Sequence, residues 1–316
     1  MYVEIGGIRQ WVEIELEHPD NPVLLLLHGG PAGSTRFASA SWRPWRRHFT
    51  LVHWDQRGAG RTFGKNGAEG SGPMRFDRFV ADGIEVAEFV RRELGNPPVF
   101  LLGHSWGSAI GVHMVKRRPD LFAAFVGTGQ LVSFALNEAA NYERELAQAR
   151  EAGNAEALGE LTEIGPPPHD DLARTRVLRK WSDVLASGSG DSPTPRLTAR
   201  PDNLTDEDMT AMADGFAFSG PALFGEIHAI NLPTLGTDFA VPMFCFMGTH
   251  DQQTPIAVAE DYFRTITAPR KAFVRFEGCH HFVHMNRPDA FLEALVTHLL
   301  PLAGAAPGIP NATVPG

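Results

Sequence analysis

One serine of this chain stands in a pattern that is typical of nucleophilic catalysis. Residues 103–107 read Gly-His-Ser-Trp-Gly, a match to G-x-S-x-G with Ser105 at its centre. The apolar stretch 99–102 before the motif predicts a buried strand, and residues 108–116 after it predict a helix. A sharp turn between the two forces the serine into a strained backbone conformation and exposes its hydroxyl, while the flanking glycines allow neighbouring chain to approach. The spacing therefore predicts a nucleophile at Ser105.

A serine hydroxyl is a poor nucleophile unless a histidine accepts its proton. The chain contains 13 histidines, so position has to select among them. His280 and His281 follow the predicted strand 271–276, where a base that serves Ser105 is expected. Their positions alone do not decide which of the two histidines is the base.

The histidine in turn needs a carboxylate to orient it, and Asp251 is the best placed candidate. It follows the predicted strand 243–247, so its side chain can reach across to the histidine segment. Asp238 precedes that strand, and Glu277 lies within the histidine's own segment. A plain helix-capping role before Pro255 is the alternative for Asp251.

A tetrahedral intermediate needs two donors that point at its oxyanion. The backbone N–H of Trp106, directly after the serine, is the first candidate. The second is expected in the loop 28–31, His-Gly-Gly-Pro, which follows the buried strand 23–27. Glycines leave backbone N–H groups unobstructed, so Gly30 is the preferred donor and Gly29 the next one.

Strands and helices alternate along most of the chain, which predicts an α/β fold with a mostly parallel sheet flanked by helices. An antiparallel edge hairpin is expected at 2–5 and 10–16. Further strands are predicted at 23–27, 49–54, 99–102, 122–126, 243–247 and 271–276, and helices at 76–94, 108–116, 255–266 and 288–300.

The alternation stops between the predicted strands 122–126 and 243–247, where charged helical segments occur. We therefore predict a core formed by residues 1–130 and 239–302, with residues 131–238 as a helical cap insertion. The Ala/Gly/Pro-rich residues 303–316 are expected to be disordered.

Composition excludes several classes of protein. The 316 residues carry a net charge of −9 and include only two cysteines. The acidic balance argues against a nucleic-acid partner, and the short apolar runs argue against a membrane span. Two thiols do not make a disulfide scaffold, so we expect a cytoplasmic protein. The chain has no H-E-x-x-H, dinucleotide-binding or P-loop pattern, so no metal and no cofactor are expected.

Three ordered motifs together resemble the proline-iminopeptidase-like branch of the α/β-hydrolases. Residues 28–32 (His-Gly-Gly-Pro-Ala) are similar to H-G-G-P-G, residues 55–62 to D-Q-R-G-x-G-x-S/T, and residues 103–107 to G-G-S-W-G. The resemblance covers about residues 1–130 and 239–300. It implies a serine hydrolase of the α/β-hydrolase fold that acts on a small molecule or a short peptide.

The resemblance also implies the roles of individual residues. Ser105 matches the nucleophile, and Gly30 and Trp106 match the oxyanion donors. Asp251 matches the acid in G-x-x-D. In relatives the catalytic histidine lies seven residues before a proline that begins the last helix, which selects His281 over His280.

The cap departs from the family's pattern. Relatives hold the substrate's free amine with cap glutamates, one of them in a W-S-x-W-E segment. The matching segment here begins at Trp181 but has no glutamate, and Glu226 only loosely matches the second site, E-N-H. Without paired carboxylates an ammonium is held weakly. Two substrate classes therefore stay open: an amide or peptide with a free amino terminus, and a small apolar ester or lactone.

Three further interpretations stay open at this stage. Asp55 and Arg57 are expected to form a buried structural ion pair rather than to act in catalysis. A ligand-binding protein on a retained hydrolase fold is the alternative to an enzyme. Large apolar side chains of the cap could line a substrate pocket or simply pack: Trp181, Met209, Met212, Phe216, Phe218 and Phe224.

Overall fold

The computed structural model describes residues 1–169, 171–187, 201 and 203–304. A single eight-stranded sheet runs through it in the order β1-β2-β4-β3-β5-β6-β7-β8. The strands are β1 Tyr2–Ile5, β2 Ile8–Glu15, β3 Val23–Leu27, β4 Thr50–Asp55, β5 Val99–His104, β6 Ala124–Thr128, β7 Met243–Gly248 and β8 Lys271–Phe276. β1 and β2 pair antiparallel at one edge and β2 pairs antiparallel with β4, whereas all the other neighbours are parallel.

Helices connect these strands and cover the sheet. The α-helices are α1 Ser39–Trp42, α2 Gly60–Gly70, α3 Phe76–Glu93, α4 Trp106–Arg117, α5 Phe134–Glu151, α6 Ala155–Ile164, α7 Leu172–Ser187, α8 Asp206–Ala222, α9 Phe224–His228, α10 Ile256–Thr265, α11 Val283–Asn286 and α12 Pro288–Leu299. Short 3-10 helices lie at Thr35–Ala38, Arg43–Arg47, Pro119–Leu121, Leu232–Leu235 and Leu300–Leu302. Among the described helices none is long and apolar enough to cross a membrane.

The predicted α/β fold with a mostly parallel sheet is confirmed. β3 and β8 have the predicted bounds, and the edge hairpin forms around the predicted glycine turn. Helix α2 was not predicted, because its four glycines are poor helix formers. It forms against α8, and a Cβ on its Gly64 would stand 3.0 Å from the Ala211 side chain, so packing overrides propensity there.

Every described element between β6 and β7 is helical. This helical segment has a small apolar cluster of its own, which includes Tyr142, Leu161, Leu178 and Trp181. The division into core and cap thus stays a prediction that this arrangement favours. The predicted disordered tail lies outside the described residues from position 305 onward.

Two apolar clusters cover opposite faces of the sheet. Alternate residues of one strand enter different clusters: Leu25 and Leu27 pack with α3 and α4, whereas Leu24 and Leu26 pack with α12. A strand that is buried on both faces has apolar residues at every position, which explains the five consecutive apolar residues of β3.

The prediction of an ion pair between Asp55 and Arg57 is wrong. The Arg57 guanidinium lies against Asp82 of α3, with Nε 3.0 Å from Oδ2, and both side chains are fully buried. Asp55 instead accepts hydrogen bonds from the Ser34 hydroxyl at 2.7 Å and the Arg61 backbone N–H at 2.9 Å. Two side chains separated by one residue at a strand end need not meet, because the chain turns away from the extended conformation after the strand.

The Arg57–Asp82 pair yields a stability prediction. Replacing Asp82 by Asn leaves the guanidinium buried without its counter-charge, so we expect the free energy of unfolding to fall by about 3 kcal/mol. The matched control on the same helix is Glu88→Gln, because Glu88 forms a half-exposed pair with Arg118 and should cost under about 1 kcal/mol. Urea denaturation measures both, and equal losses would contradict the prediction.

Candidate active site

Ser105 occupies the turn between β5 and α4, and its backbone is strained there. Its φ of 54° and ψ of −121° are rare for a residue with a side chain. The backbone N–H of Ser105 donates to the Thr128 carbonyl of β6 at 3.0 Å, and its carbonyl accepts from Ser108 N–H at 2.8 Å. A Cβ on Gly103 would stand 2.7 Å from Ser108 Cα, which explains why the turn needs glycine at that position.

His281 and Asp251 form a buried hydrogen-bonded pair. His281 Nδ1 lies 2.9 Å from Asp251 Oδ2 and 3.1 Å from Oδ1, and both side chains are almost fully buried. Because a carboxylate only accepts, Nδ1 carries the hydrogen and Nε2 is left with its lone pair. His280 is directed elsewhere, with Nδ1 3.1 Å from the His250 carbonyl.

Asp251 is kept ionised by hydrogen bonds. Burial raises the pKa of its carboxyl, but the electrostatic interaction with His281 and hydrogen bonds from His281 and Thr254 outweigh burial and hold that pKa below 3.8. The Thr254 hydroxyl donates to Oδ2 at 2.8 Å, and the N–H groups of Gln253 and Thr254 donate to Oδ1. Thr254, three residues after Asp251, was not singled out from the sequence, although an Asp followed by a polar turn signals such a cap.

Gly129 makes room for the His281 ring. It follows β6 with a φ of +52°, and a Cβ there would stand 2.8 Å from His281 Cε1. Its neighbour Thr128 holds the Ser105 backbone, so the end of β6 positions both candidate residues. This glycine was not singled out from the sequence, because its contact is formed with a residue about 150 positions away.

A histidine fixes the glycine loop that was predicted to hold the oxyanion. His28 Nε2 accepts from the Gln56 N–H at 3.1 Å, so its Nδ1 carries the hydrogen that is donated to the Gly29 carbonyl at 2.9 Å. The Gln56 side chain in turn accepts from Trp106 Nε1 at 3.1 Å. Burial lowers the pKa of His28 to about 4, against the hydrogen bond to Gly29, which keeps the imidazole neutral. One network thus connects Gly29 to Trp106.

Trp106 is the first residue of α4, so its backbone N–H has no acceptor within the helix. Gly29 lies against the serine: a Cβ on it would stand 3.0 Å from Ser105 Cβ. The backbone of the glycine loop can therefore approach Ser105 only because Gly29 has no side chain.

A cavity of about 380 Å³ opens beside Ser105, a volume that suits a small ligand. Ser105, His281, Gly29 and Gly30 line it. Among the described residues that form its wall there is no Asp, Glu, Lys or Arg. The wall is mostly apolar and includes Leu26, Phe37, Trp42, Leu102, Phe282 and Met285.

The predicted cap residues divide into two groups. Met212 and Phe216 of α8 reach the cavity, and Phe216 is well exposed beside it. Trp181 is buried in the cap cluster and donates to Glu160 from Nε1 at 2.8 Å. Of the other apolar cap residues, Phe218 packs on Phe63 and Phe224 packs on His228.

Glu226 is also outside the described wall of the cavity. Its Oε2 accepts from the Phe76 backbone N–H at 2.7 Å, at the first residue of α3. A carboxylate at a helix N-terminus satisfies a free N–H and is favoured by the helix dipole. The structure therefore brings the Ser105, His281 and glycine-loop residues together, but not Glu226 or Trp181.

Helix α8 is fixed to the core at its first turn. Asp208 lies 3.2 Å from Arg36 Nη1 and 3.0 Å from Arg61 Nη2, and Thr205 completes a capping box with it. Burial raises the pKa of the Asp208 carboxyl, but the hydrogen bonds from Arg61, Thr205 and Arg36 lower it far more. The apolar side chains that α8 presents to the cavity are thus held in place by a charged network.

A parallel sheet with a strained serine after β5 and a buried His–Asp pair at the neighbouring strand ends defines the α/β-hydrolase class of enzyme. A family model described as the alpha/beta hydrolase fold matches residues 22–288. The chain belongs to that family, and it is a hydrolase of the proline-iminopeptidase-like kind.

Its curated relatives carry aminopeptidase names. The chain is 29% identical over 304 residues to the probable aminopeptidase YbaC of Bacillus subtilis (strain 168), covering 94% of each chain. It is 24% identical to a proline iminopeptidase of Lactobacillus delbrueckii subsp. bulgaricus, over 95% of this chain and 97% of that one.

Two solved structures, one of them an esterase, share the fold. A proline iminopeptidase-related protein from Thermus thermophilus has a TM-score of 0.66 at 20% identity, over 96% of this chain and 98% of that one. A thermophilic esterase from Thermogutta terrifontis has a TM-score of 0.56 at 17% identity, over 96% and 99%.

The contact between Gly129 and His281 yields a kinetic prediction. Gly129→Ala should lower kcat/KM by about 100-fold, because the new methyl group displaces the imidazole. Gly153→Ala is the matched control: its φ is also positive, at 61°, but no atom lies within 4 Å of the new Cβ. The strained φ should cost both variants about 1 kcal/mol of stability, so Gly153→Ala controls for that contribution. Equal kcat/KM values in the two variants would contradict the crowding of His281.

Buried histidines yield a prediction on acid stability. Burial lowers the pKa of His28, His53 and His113 to about 4 and that of His284 to about 3. In the unfolded chain these groups take up protons below about pH 6.5. The unfolded state then binds more protons than the folded state, so stability falls as the pH drops through that value.

We expect the melting temperature to decrease steadily from about pH 7 to about pH 5.5, above the range in which most carboxyl groups titrate. Calorimetry measures it, and His113→Phe should make the decrease shallower, since the His113 ring packs on Phe76 and a phenyl ring can replace it there. A melting temperature that stays constant or rises over this range would rule out the buried neutral histidines.

Proposed function

We propose that this hydrolase cleaves its substrate through an acyl-enzyme on Ser105. The observation that carries the proposal is the His281–Asp251 pair, with His281 Nδ1 bonded to the carboxylate and the imidazole on the same cavity as the strained serine. A neutral imidazole held in this tautomer presents a basic Nε2, which is what a serine hydroxyl needs.

In the proposed reaction His281 accepts the Ser105 proton as Oγ attacks the carbonyl carbon. Asp251 holds the ring and stabilises the imidazolium that forms. The N–H groups of Trp106 and Gly30 donate to the oxyanion. His281 then gives the proton to the leaving amine or alcohol, and the bond to the leaving group breaks. Water, deprotonated by His281, attacks the acyl carbon. The bond to Ser105 Oγ then breaks, His281 returns the proton to Oγ, and the acid is released.

The first substrate class that we propose is an amide or short peptide from which one small N-terminal residue is released. The names of the relatives support it, since the probable aminopeptidase and the proline iminopeptidase both match along nearly the whole chain. The cavity of about 380 Å³ suits a single compact acyl group.

A small ester or lactone is the second candidate. The wall of the cavity is mostly apolar, the described part of it contains no carboxylate, and Glu226 is bonded to the Phe76 N–H. An ammonium would find no counter-charge in that wall, whereas an uncharged acyl group needs none.

A cytoplasmic location and independence of metals belong to the same proposal. Both cysteines, Cys245 and Cys279, are buried as free thiols, as suits a reducing compartment. In the described part of the chain no three His, Cys, Asp or Glu side chains are grouped as metal ligands. The reaction as proposed uses only the side chains and backbone of the site.

Purified wild type and Ser105→Ala should be compared on a prolyl arylamide and on a short-chain aryl ester. Ser105→Ala should lower kcat by about 10⁴-fold or more on whichever substrate is cleaved. A fluorophosphonate probe should label folded wild type and not the variant. Full turnover by Ser105→Ala would reject the proposed nucleophile.

Glu226→Gln separates the two roles suggested for that residue. Because Glu226 is bonded to the α3 N-terminus, we expect the variant to lose about 1 kcal/mol of stability and to keep its ratio of amide to ester cleavage. If Glu226→Gln lost only the cleavage of substrates with a free amine, Glu226 would have to bind the substrate.

A further inference from the structure

His104, directly before the nucleophile, has one ring nitrogen engaged and the other available. Its Nε2 lies 3.1 Å from the His281 carbonyl oxygen. A carbonyl oxygen only accepts, so Nε2 carries the hydrogen and Nδ1 is left with a lone pair. The hydrogen bond thus fixes the tautomer of His104, and the ring offers an acceptor on its other side.

That acceptor lies next to the place where a substrate carbonyl would be attacked. The His104 ring lines the cavity together with Ser105. A Cβ on Gly29 would stand 2.8 Å from His104 Nδ1 and 3.0 Å from Ser105 Cβ, so Nδ1 and the Ser105 side chain lie on the same side of Gly29 and close to each other. Within the described residues the one hydrogen bond of the His104 side chain is that of Nε2.

The imidazole is held neutral by its surroundings. Burial lowers the pKa of His104 well below 6.5, and the electrostatic interactions with His281 and His284 lower it further, against the hydrogen bond to the His281 carbonyl. A neutral ring keeps the Nδ1 lone pair at neutral pH. In a mostly apolar cavity without described carboxylates, such an acceptor discriminates strongly between substrates that can and cannot donate to it.

We propose that His104 Nδ1 accepts a hydrogen bond from an N–H or O–H group that the acyl part of the substrate carries beside its scissile carbonyl. The substrate class is then that of 2-amino and 2-hydroxy acyl compounds. This inference rests on the proposed acyl transfer to Ser105 and names the substrates of that same site. The amine is accepted in its unprotonated form, which needs no counter-charge in the wall, while Glu226 is bonded to the Phe76 N–H.

Three acyl groups of equal size test the proposal: pyrrolidine-2-carbonyl, cyclopentanecarbonyl and tetrahydrofuran-2-carbonyl. The first carries a donor, the second no polar atom and the third only an acceptor. Each is offered as a phenyl ester and as an aryl amide, so that the leaving group does not decide the result. Wild type should prefer the pyrrolidine acyl group, with kcat/KM referred to its unprotonated amine, over both others by about tenfold or more. Equal values for the three would overturn the proposal.

Two variants of His104 separate recognition from support of His281. His104→Gln places an amide N–H near the position of Nε2 and leaves no acceptor at Nδ1, so the preference should fall to about one. His104→Asn places its amide oxygen near Nδ1 and loses the donor to the His281 carbonyl. It should keep the preference while kcat falls for all three substrates. The role of Nδ1 would be contradicted if His104→Gln kept the preference for the pyrrolidine acyl group. It would also be contradicted if His104→Asn lost this preference as fully as His104→Gln does.

His284 is the competing residue. Its ring lies 5.2 Å from that of His104 and is stacked on Trp42, and its Nδ1 is buried without a hydrogen-bond partner in the described structure. His284→Phe keeps the stacking and removes the nitrogen. We expect His284→Phe to retain the preference for the pyrrolidine acyl group. If His284→Phe lost this preference and His104→Gln kept it, His284 and not His104 would be the residue that recognises the substrate.

Failure of the inference and failure of the proposed function give different results. If Ser105→Ala cleaves all three acyl compounds like wild type, the proposed acyl-enzyme on Ser105 is wrong. The proposed recognition by His104 is then rejected as well, because it depends on the acyl-enzyme. Cleavage that depends on Ser105 but shows no preference for the donor leaves the acyl-enzyme intact and overturns only the role of His104. Circular dichroism of each variant verifies that it is folded, and the wild-type comparison needs no variant.

Discussion

The strained turn at Ser105 is the constraint on which the rest of the site depends. A φ of 54° raises the serine above the sheet, and the strain persists only because the surroundings hold the backbone on both sides. The Thr128 carbonyl accepts the Ser105 N–H, and the chain around Gly103 packs too closely for a side chain. The neighbouring parallel strand β6 therefore supports the turn as much as the local sequence does.

The ends of the neighbouring strands place the proposed proton acceptor. β6, β7 and β8 are adjacent and parallel, so the residues after each meet at one edge of the sheet. Gly129 follows β6, Asp251 follows β7 and His281 follows β8. The interaction with His281 and hydrogen bonds from Thr254 keep Asp251 ionised, and the missing side chain of Gly129 leaves the space that the imidazole fills. The geometry that we propose for catalysis is thus a consequence of strand order.

Two other networks keep the cavity in shape. The neutral His28 holds the Gly29 carbonyl and is itself held by Gln56, which also accepts from the Trp106 indole. On the far side Arg36 and Arg61 hold Asp208 at the start of α8, whose later turns bring Met212 and Phe216 to the cavity. The cavity thus lies between the glycine loop and α8, and buried polar contacts hold both of them.

The sequence by itself determined the class of fold, since apolar runs such as that of β3 and their alternation with helices are local properties of the chain. It also placed Ser105 in a turn, because the G-x-S-x-G spacing expresses a steric requirement within five residues. Only the tertiary structure decided which partners meet: Arg57 with Asp82 rather than Asp55, and Glu226 with the Phe76 N–H rather than the cavity. The direction of His104 and the space at Gly129 belong to the same group, because they depend on contacts between residues far apart in the chain. The spacing of residues in a short motif reflects the steric requirements of a backbone turn. The partner of a side chain is instead determined by tertiary packing, which no short segment encodes.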